Sequence, residues 1–200
     1  MKMMRFLIIL LLFLSSGTVR AFDLAQLQAQ LQAYPVVRGQ FTQQKYLRSL
    51  ETPLTSQGDF SLALNKGLLW RLRQPFAQEL RISPQGIARR DERGYWRDLP
   101  SQAGGGRENR LFLSLLSGDT QGILDNFEIA LQGNSADWRM TLTPRSALLR
   151  QIFTDITIEG GATVKRIELR ETQGDRTLLK MANTRTAQKM TDEEARAWND

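Results

Sequence analysis

The 200-residue chain contains no cysteine and no histidine. Each absence removes a class of chemistry. Without cysteine there is no thiol nucleophile and no disulfide. Without histidine a Ser-His-Asp relay cannot be assembled, and the usual ligand sets for zinc, copper and haem iron are incomplete. No metal and no cofactor is expected. Carboxylates, lysine, serine and tyrosine remain, but the acids are poorly placed for acid–base work. Asp91 and Glu92 are adjacent in a turn, Glu168 and Glu171 fall on opposite faces of a strand, and Asp192, Glu193 and Glu194 open a helix, where acids suit the dipole. Gly104-Gly105-Gly106 is not followed by the Lys-Ser/Thr pair of a phosphate loop. No catalytic residue is expected, and the chain is read as a non-enzyme.

Charge of one sign is also lacking. Of the net +6, Lys2, Arg5 and Arg20 contribute three, so residues 22–200 carry +3. Arg89-Arg90, Arg93 and Arg97 alternate with Asp91, Glu92 and Asp98, the pattern of a solvated hairpin rather than of a nucleic-acid track. Only one long apolar run exists, Phe6–Leu14, and it is short for a bilayer span. Lys2 and Arg5 precede it, and Val19-Arg20-Ala21 follows with small residues at the two positions that a signal peptidase reads. Residues 1–21 are therefore expected to be a secretory signal peptide, with a single domain over 22–200. No cysteine follows the cleavage site, which argues against a lipid anchor on the mature form.

What is present is mostly strand. Asp23 caps an amphipathic helix in which Leu24, Leu27 and Leu31 recur at helical spacing, up to Pro35. From Val37 the period becomes two: Val37, Gly39 and Phe41 share a face, then Gly58, Phe60, Leu62 and Leu64, then Leu68, Trp70 and Leu72 after an Asn65-Lys66-Gly67 turn, then Leu80 and Ile82. After Gly104–Gly106 a helical pattern returns at Leu111, Phe112, Leu115 and Leu116, with a second short helix at 120–124. Strands resume around Phe127–Leu131, Trp138–Leu142, Ile152–Ile158, Val164–Glu171 and Arg176–Ala182, and Thr191 with Glu194 forms a capping box for a final helix. The expected fold is α+β and mainly β: a curled antiparallel sheet forming an incomplete barrel, covered by the N-terminal helix and the inserted helices.

Three stretches carry a resemblance. They are Val37-Arg38-Gly39-Gln40-Phe41-Thr42-Gln43; Gly58-Asp59-Phe60 with Trp70 and Gln74-Pro75 behind it; and Leu111–Leu116 with Leu142-Thr143-Pro144. In order and spacing they resemble the periplasmic outer-membrane lipoprotein carrier family, LolA. The resemblance is thin over most of the chain and densest from Val37 to Gly86. It implies a periplasmic location and an apolar cavity for acyl chains of a lipoprotein or other lipidated cargo. It also implies two partners, an ATP-driven extractor at the inner membrane and an acceptor at the outer membrane. Members usually carry an arginine followed by proline after the Gly-Asp pair, and that arginine ties the lid shut. Here Leu64 and Asn65 stand at those positions, which puts the standard relay in doubt and favours a divergent branch.

The candidate cavity wall is accordingly Phe41, Phe60, Leu62, Leu64, Leu68, Trp70, Leu72, Leu80 and Ile82, and the candidate lid is Leu24, Leu27, Leu31, Leu111, Phe112, Leu115 and Leu116. Periodicity alone leaves an ordinary closed core open as the alternative for the wall, and a permanently packed helix for the lid. A non-catalytic adaptor with a filled core, or a carrier of a non-lipoprotein acyl product, is the alternative function. A monomer without nucleic acid is expected.

Overall fold

Local sequence sets the ends of each element. A computed structural model describes residues 22–100, 113–119 and 123–199. Helix α1 (Leu24–Leu31) starts in a capping box: Asp23 Oδ1 accepts from the Gln26 amide at 2.8 Å, and Gln26 Oε1 accepts from the Asp23 amide at 3.1 Å. Its Leu27 and Leu31, one turn apart, are buried while Gln28 and Gln30 between them are half-buried.

The strands are β1 (Val36–Tyr46), β2 (Leu54–Ala63), β3 (Gly67–Gln74), β4 (Gln78–Ser83), β5 (Gly86–Arg90), β6 (Trp96–Asp98), β7 (Phe127–Asn134), β8 (Asp137–Pro144), β9 (Phe153–Gly160), β10 (Val164–Glu171) and β11 (Arg176–Ala187). They form one antiparallel sheet in the order β6-β5-β4-β3-β2-β1-β11-β10-β9-β8-β7. The sheet is two meanders, β1–β6 and β7–β11, joined where the first strand pairs with the last. Among the described residues no ladder joins β6 to β7, so the sheet is open. The α+β, antiparallel architecture agrees with the expectation at that level.

Two further helices complete the fold, α2 (Ala147–Ile152) and α3 (Asp192–Asn199). Six residues with one buried leucine are too short to show a helical period, and α2 has no counterpart in the pattern; Ser146 caps it by accepting from the Leu149 amide at 3.2 Å. Residues 113–117 are helical, as are 123–124. The rest of the expected helices there, Leu111, Phe112 and 120–122, lies outside the described residues, as do the leader and the Gly104–Gly106 stretch.

One apolar cluster spans both meanders. It unites Phe41, Phe60 and Trp70 with Trp138, Ile158 and Ile167, and Leu27, Leu31, Leu113, Leu115 and Leu116 pack onto it from above. Helix α3 lies on the other face, because its Glu194 bonds Arg38 and Ser61, whose side chains alternate with those of Val37 and Phe60.

Candidate functional site

The floor of the site comes from a reciprocal pattern. In the β1–β2 register Gly39 faces Phe60 and Phe41 faces Gly58. Each ring lies over the glycine opposite: a Cβ on Gly39 would come within 2.8 Å of Phe60 Cε1, and one on Gly58 within 2.9 Å of Phe41 Cε1 and 1.9 Å of the Arg71 carbonyl oxygen. Missing side chains thus let two aromatic rings lie close to the sheet. Trp70 of β3 stands opposite Phe60 and stacks on Phe41, with ring centroids 3.6 Å apart and planes 21° apart.

Around these rings Leu62, Leu68 and Ile82 are buried in the same cluster, and Leu72 and Leu80 are half-buried at its margin. Leu64 follows the strand, in the turn, where it borders a larger hollow. Strand β2 ends at Ala63, and the Leu64 amide donates to the Pro35 carbonyl at 2.8 Å. The alternation that carried Leu64 into the wall continues one residue beyond the strand, into the turn.

Over the floor, Leu27, Leu31, Leu115 and Leu116 are buried and Leu24 is half-buried. Leu113 joins them, unanticipated. The trough is consequently full. The gap between Leu31, Val37, Phe60, Leu62, Leu116 and Met181 holds about 20 Å³, room for about one water molecule and for no acyl chain.

A larger hollow adjoins it. A mouth of about 530 Å³ is bounded on one side by residues 62–67 and Pro84 of the first meander, and on the other by Asp125, Asn126, Phe127 and Leu149 of the second. The volume falls in the roughly 300–1,000 Å³ range of small-ligand sites. Leu62 borders both the mouth and the trough gap. The rim is polar at Asn65, Lys66, Ser117 and Asp119 and apolar deeper in, at Leu62, Leu113, Phe127 and Leu149. Sequence reasoning missed most of this rim, because turn residues have no period to betray them.

Behind the floor, α3 acts as a brace. Glu194 accepts from Arg38 Nε and Nη2 at 2.5 Å each, from Ser61 Oγ at 2.6 Å and from the Thr191 amide at 2.7 Å. Burial pushes its carboxyl up, but Arg38, Ser61 and the Thr191 amide outweigh that and hold it at about 2. The Thr191–Glu194 capping box is present, since the Glu194 amide donates to Thr191 Oγ1 at 3.2 Å. The outer-face arginines are engaged too: Arg71 with Glu79 and Glu193, Arg73 with Asp59, and Arg81 with the Ala197 carbonyl. Among the described residues no group of three or more acids, histidines or cysteines could hold a metal ion, and no helix is long and apolar enough to cross a membrane.

A family model described as "Outer membrane lipoprotein carrier protein LolA-like" matches residues 16–198. The chain belongs to this family. It is a periplasmic member, and the family's members are carriers without catalytic activity. No curated protein matches the chain. Among solved structures, a Vibrio parahaemolyticus domain assigned to outer membrane lipoprotein sorting is 10% identical, with a TM-score of 0.49 over 88% of this chain and 95% of that one. A LolA superfamily protein of Nitrosomonas europaea is 8% identical, with a TM-score of 0.47 over 83% and 93%. The Pseudomonas aeruginosa MucA/MucB complex gives 11% identity and 0.46 over 86% of this chain and 58% of the other. With every score below 0.5, these likenesses carry no argument of their own.

Proposed function

We propose that this LolA-like chain binds the acyl chains of a lipoprotein, or of another lipidated product, between its sheet and helices and moves them from the inner to the outer membrane. Residues 1–21 are removed on export, and the remainder works as one carrier domain. The observation that carries the reading is the adjacency of mouth and trough: a 530 Å³ opening borders, through Leu62, an apolar floor onto which, among the described residues, leucines of two short helical pieces pack. Those leucines stand where acyl chains would lie. Burying a dozen methylenes is worth about 10 kcal/mol at about 0.8 kcal/mol each. Part of that gain is spent on re-exposing five leucines, at about 1.5–3 kcal/mol per side chain. The gain and the cost are of similar size, so cargo can enter and leave.

In this reading the two meanders act as an incomplete barrel, facing each other across the mouth. Phe41, Phe60 and Trp70 form its floor, and Leu27, Leu31, Leu115 and Leu116 its cover. The resemblance supplies the partners, an ATP-driven extractor and an outer-membrane acceptor. A second reading, a non-catalytic adaptor with a permanently filled core, is favoured by one observation, the 20 Å³ left in the trough. Native mass spectrometry of protein purified gently from periplasm, followed by displacement of a fluorescent fatty acid, separates the two. A co-purifying acyl species, or saturable displacement, is the result expected of a carrier. An apo mass that stays unchanged with lipids and lipopeptides sinks the carrier in favour of the adaptor.

A further inference from the structure

Exposed apolar side chains are unevenly distributed. Among the described residues, six large hydrophobic side chains are exposed, and four of them sit in or beside three successive hairpin turns. Leu50 (45% exposed) and Leu54 (55%) belong to the β1–β2 turn, Phe76 (81%) to the β3–β4 turn, and Tyr95 (63%) to the β5–β6 turn. Alternation of antiparallel strands places all three turns at one end of the sheet, and the β2–β3 and β4–β5 turns, with Leu64–Lys66 and Pro84 of the mouth, at the other. Since hairpins next to one another are two strands apart, successive tips are spaced by about 10 Å.

Cations surround these tips. Phe76 lines one hollow with Arg89, Arg90, Arg93 and Arg97, against two acids, Asp91 and Glu92. Asp91 is engaged internally, by Arg97 at 3.0 Å and by the Arg93 and Tyr95 amides. Arg89 and Arg93 are exposed and, among the described residues, form no ion pair. The Arg97 guanidinium lies 5.8 Å from the Tyr95 ring centre.

We infer that this end of the sheet docks on an anionic phospholipid surface, with Phe76 as the main wedge and Arg89 and Arg93 meeting lipid phosphates. The form of the surface selects this occupant. Its apolar groups are single residues on separate convex tips, with charge between them. A protein interface needs a contiguous, shape-matched patch with an apolar centre. The bilayer interface accepts isolated aromatic and leucine side chains at headgroup depth, and arginine stems lie along apolar surface while their heads reach phosphate. Docking by this end leaves the mouth, at the opposite end of β2–β4, clear for a protein partner.

The test is flotation of the chain, purified from periplasm, with cargo-free vesicles. Flotation with phosphatidylethanolamine–phosphatidylglycerol vesicles, weakening as salt rises, and little flotation with phosphatidylcholine alone is the expected result. Phe76→Ser should lower the partition about tenfold or more, the scale set by burying one phenylalanine, and R89E/R93E should erase the preference for phosphatidylglycerol. All three positions are exposed, so the fold is kept; unchanged circular dichroism checks this. Equal flotation of wild type and Phe76→Ser overturns the proposal, as does flotation with neither vesicle. So does binding confined to native membranes and lost on protease treatment, which would indicate a protein receptor. Neither substitution touches trough or mouth, so fatty-acid displacement tests the carrier reading separately.

Discussion

The trough and the mouth are neighbours sharing Leu62, yet they are built in opposite ways. The trough is aromatic, braced and filled to within 20 Å³, and the mouth is loop-built, polar-rimmed and open to about 530 Å³. A carrier without cargo has to keep its apolar surface out of water. In the proposed carrier the protein's own leucines do this, and the mouth is the entrance. The difference assigns stability to one region and access to the other, and substitutions can test that assignment.

The largest effect is expected on the floor. Trp70→Ala removes the ring that stacks on Phe41 and flanks Phe60, and should cost about 3–5 kcal/mol of unfolding free energy in urea. A loss below about 1 kcal/mol would mean that the floor is loosely packed and that the contrast with the mouth is false. Next comes the brace. Glu194 titrates near 4.5 when unfolded and is held at about 2 in the fold, so the unfolded chain takes up the proton first as pH falls. Its contribution, on the order of 3 kcal/mol, is full above about pH 4.5 and is lost as pH falls from there towards 2. Glu194→Gln should flatten that part of the stability-against-pH curve. A variant as acid-sensitive as wild type would show that α3 does not brace the floor.

How far the sequence could see follows the same division. The floor was legible because its signal is local: a period of two, with Gly39-x-Phe41 and Gly58-x-Phe60 marking where rings cross glycines. The pairing of β1 with β11 was not, since it joins strands far apart in the chain and no residue pattern states who pairs with whom. The end of β2 just before Leu64 was not legible either, because alternation does not announce its last residue. The filling of the trough was illegible for another reason. Leu27, Leu31, Leu115 and Leu116 could be read as a cover, but whether they touch the floor depends on volumes and angles, not on spacing. The mouth rested on Asn65, Lys66, Ser117 and Leu149, scattered over one turn and two short helical pieces.

Blocking the entrance should cost binding and little stability. Ser117 is half-buried on the mouth wall, and Ser117→Trp should weaken fatty-acid binding about tenfold, equivalent to about 1.4 kcal/mol. Unchanged affinity in a folded variant would mean that cargo enters elsewhere.

The smallest expected effect is also the most discriminating, because its sign is a gain. The Gln30 side-chain amide donates to the Ser135 carbonyl at 3.0 Å and to the Gly161 carbonyl, tying α1 to the β7–β8 and β9–β10 turns. In the proposed carrier these bonds would hold only while the cover is closed. Gln30→Ala should therefore destabilise the closed state by about 1 kcal/mol, the net worth of a hydrogen bond between protein groups. Binding to a carrier that must open is weakened by the fraction of molecules that are open, and a 1 kcal/mol shift raises that fraction about fivefold when it is small. Gln30→Ala should thus bind a fluorescent fatty acid up to about fivefold more tightly while unfolding more easily in urea. Stability and affinity then move in opposite directions, which a plain core residue cannot produce. If both fall together, α1 is fixed structure, and the trough is a core rather than a site.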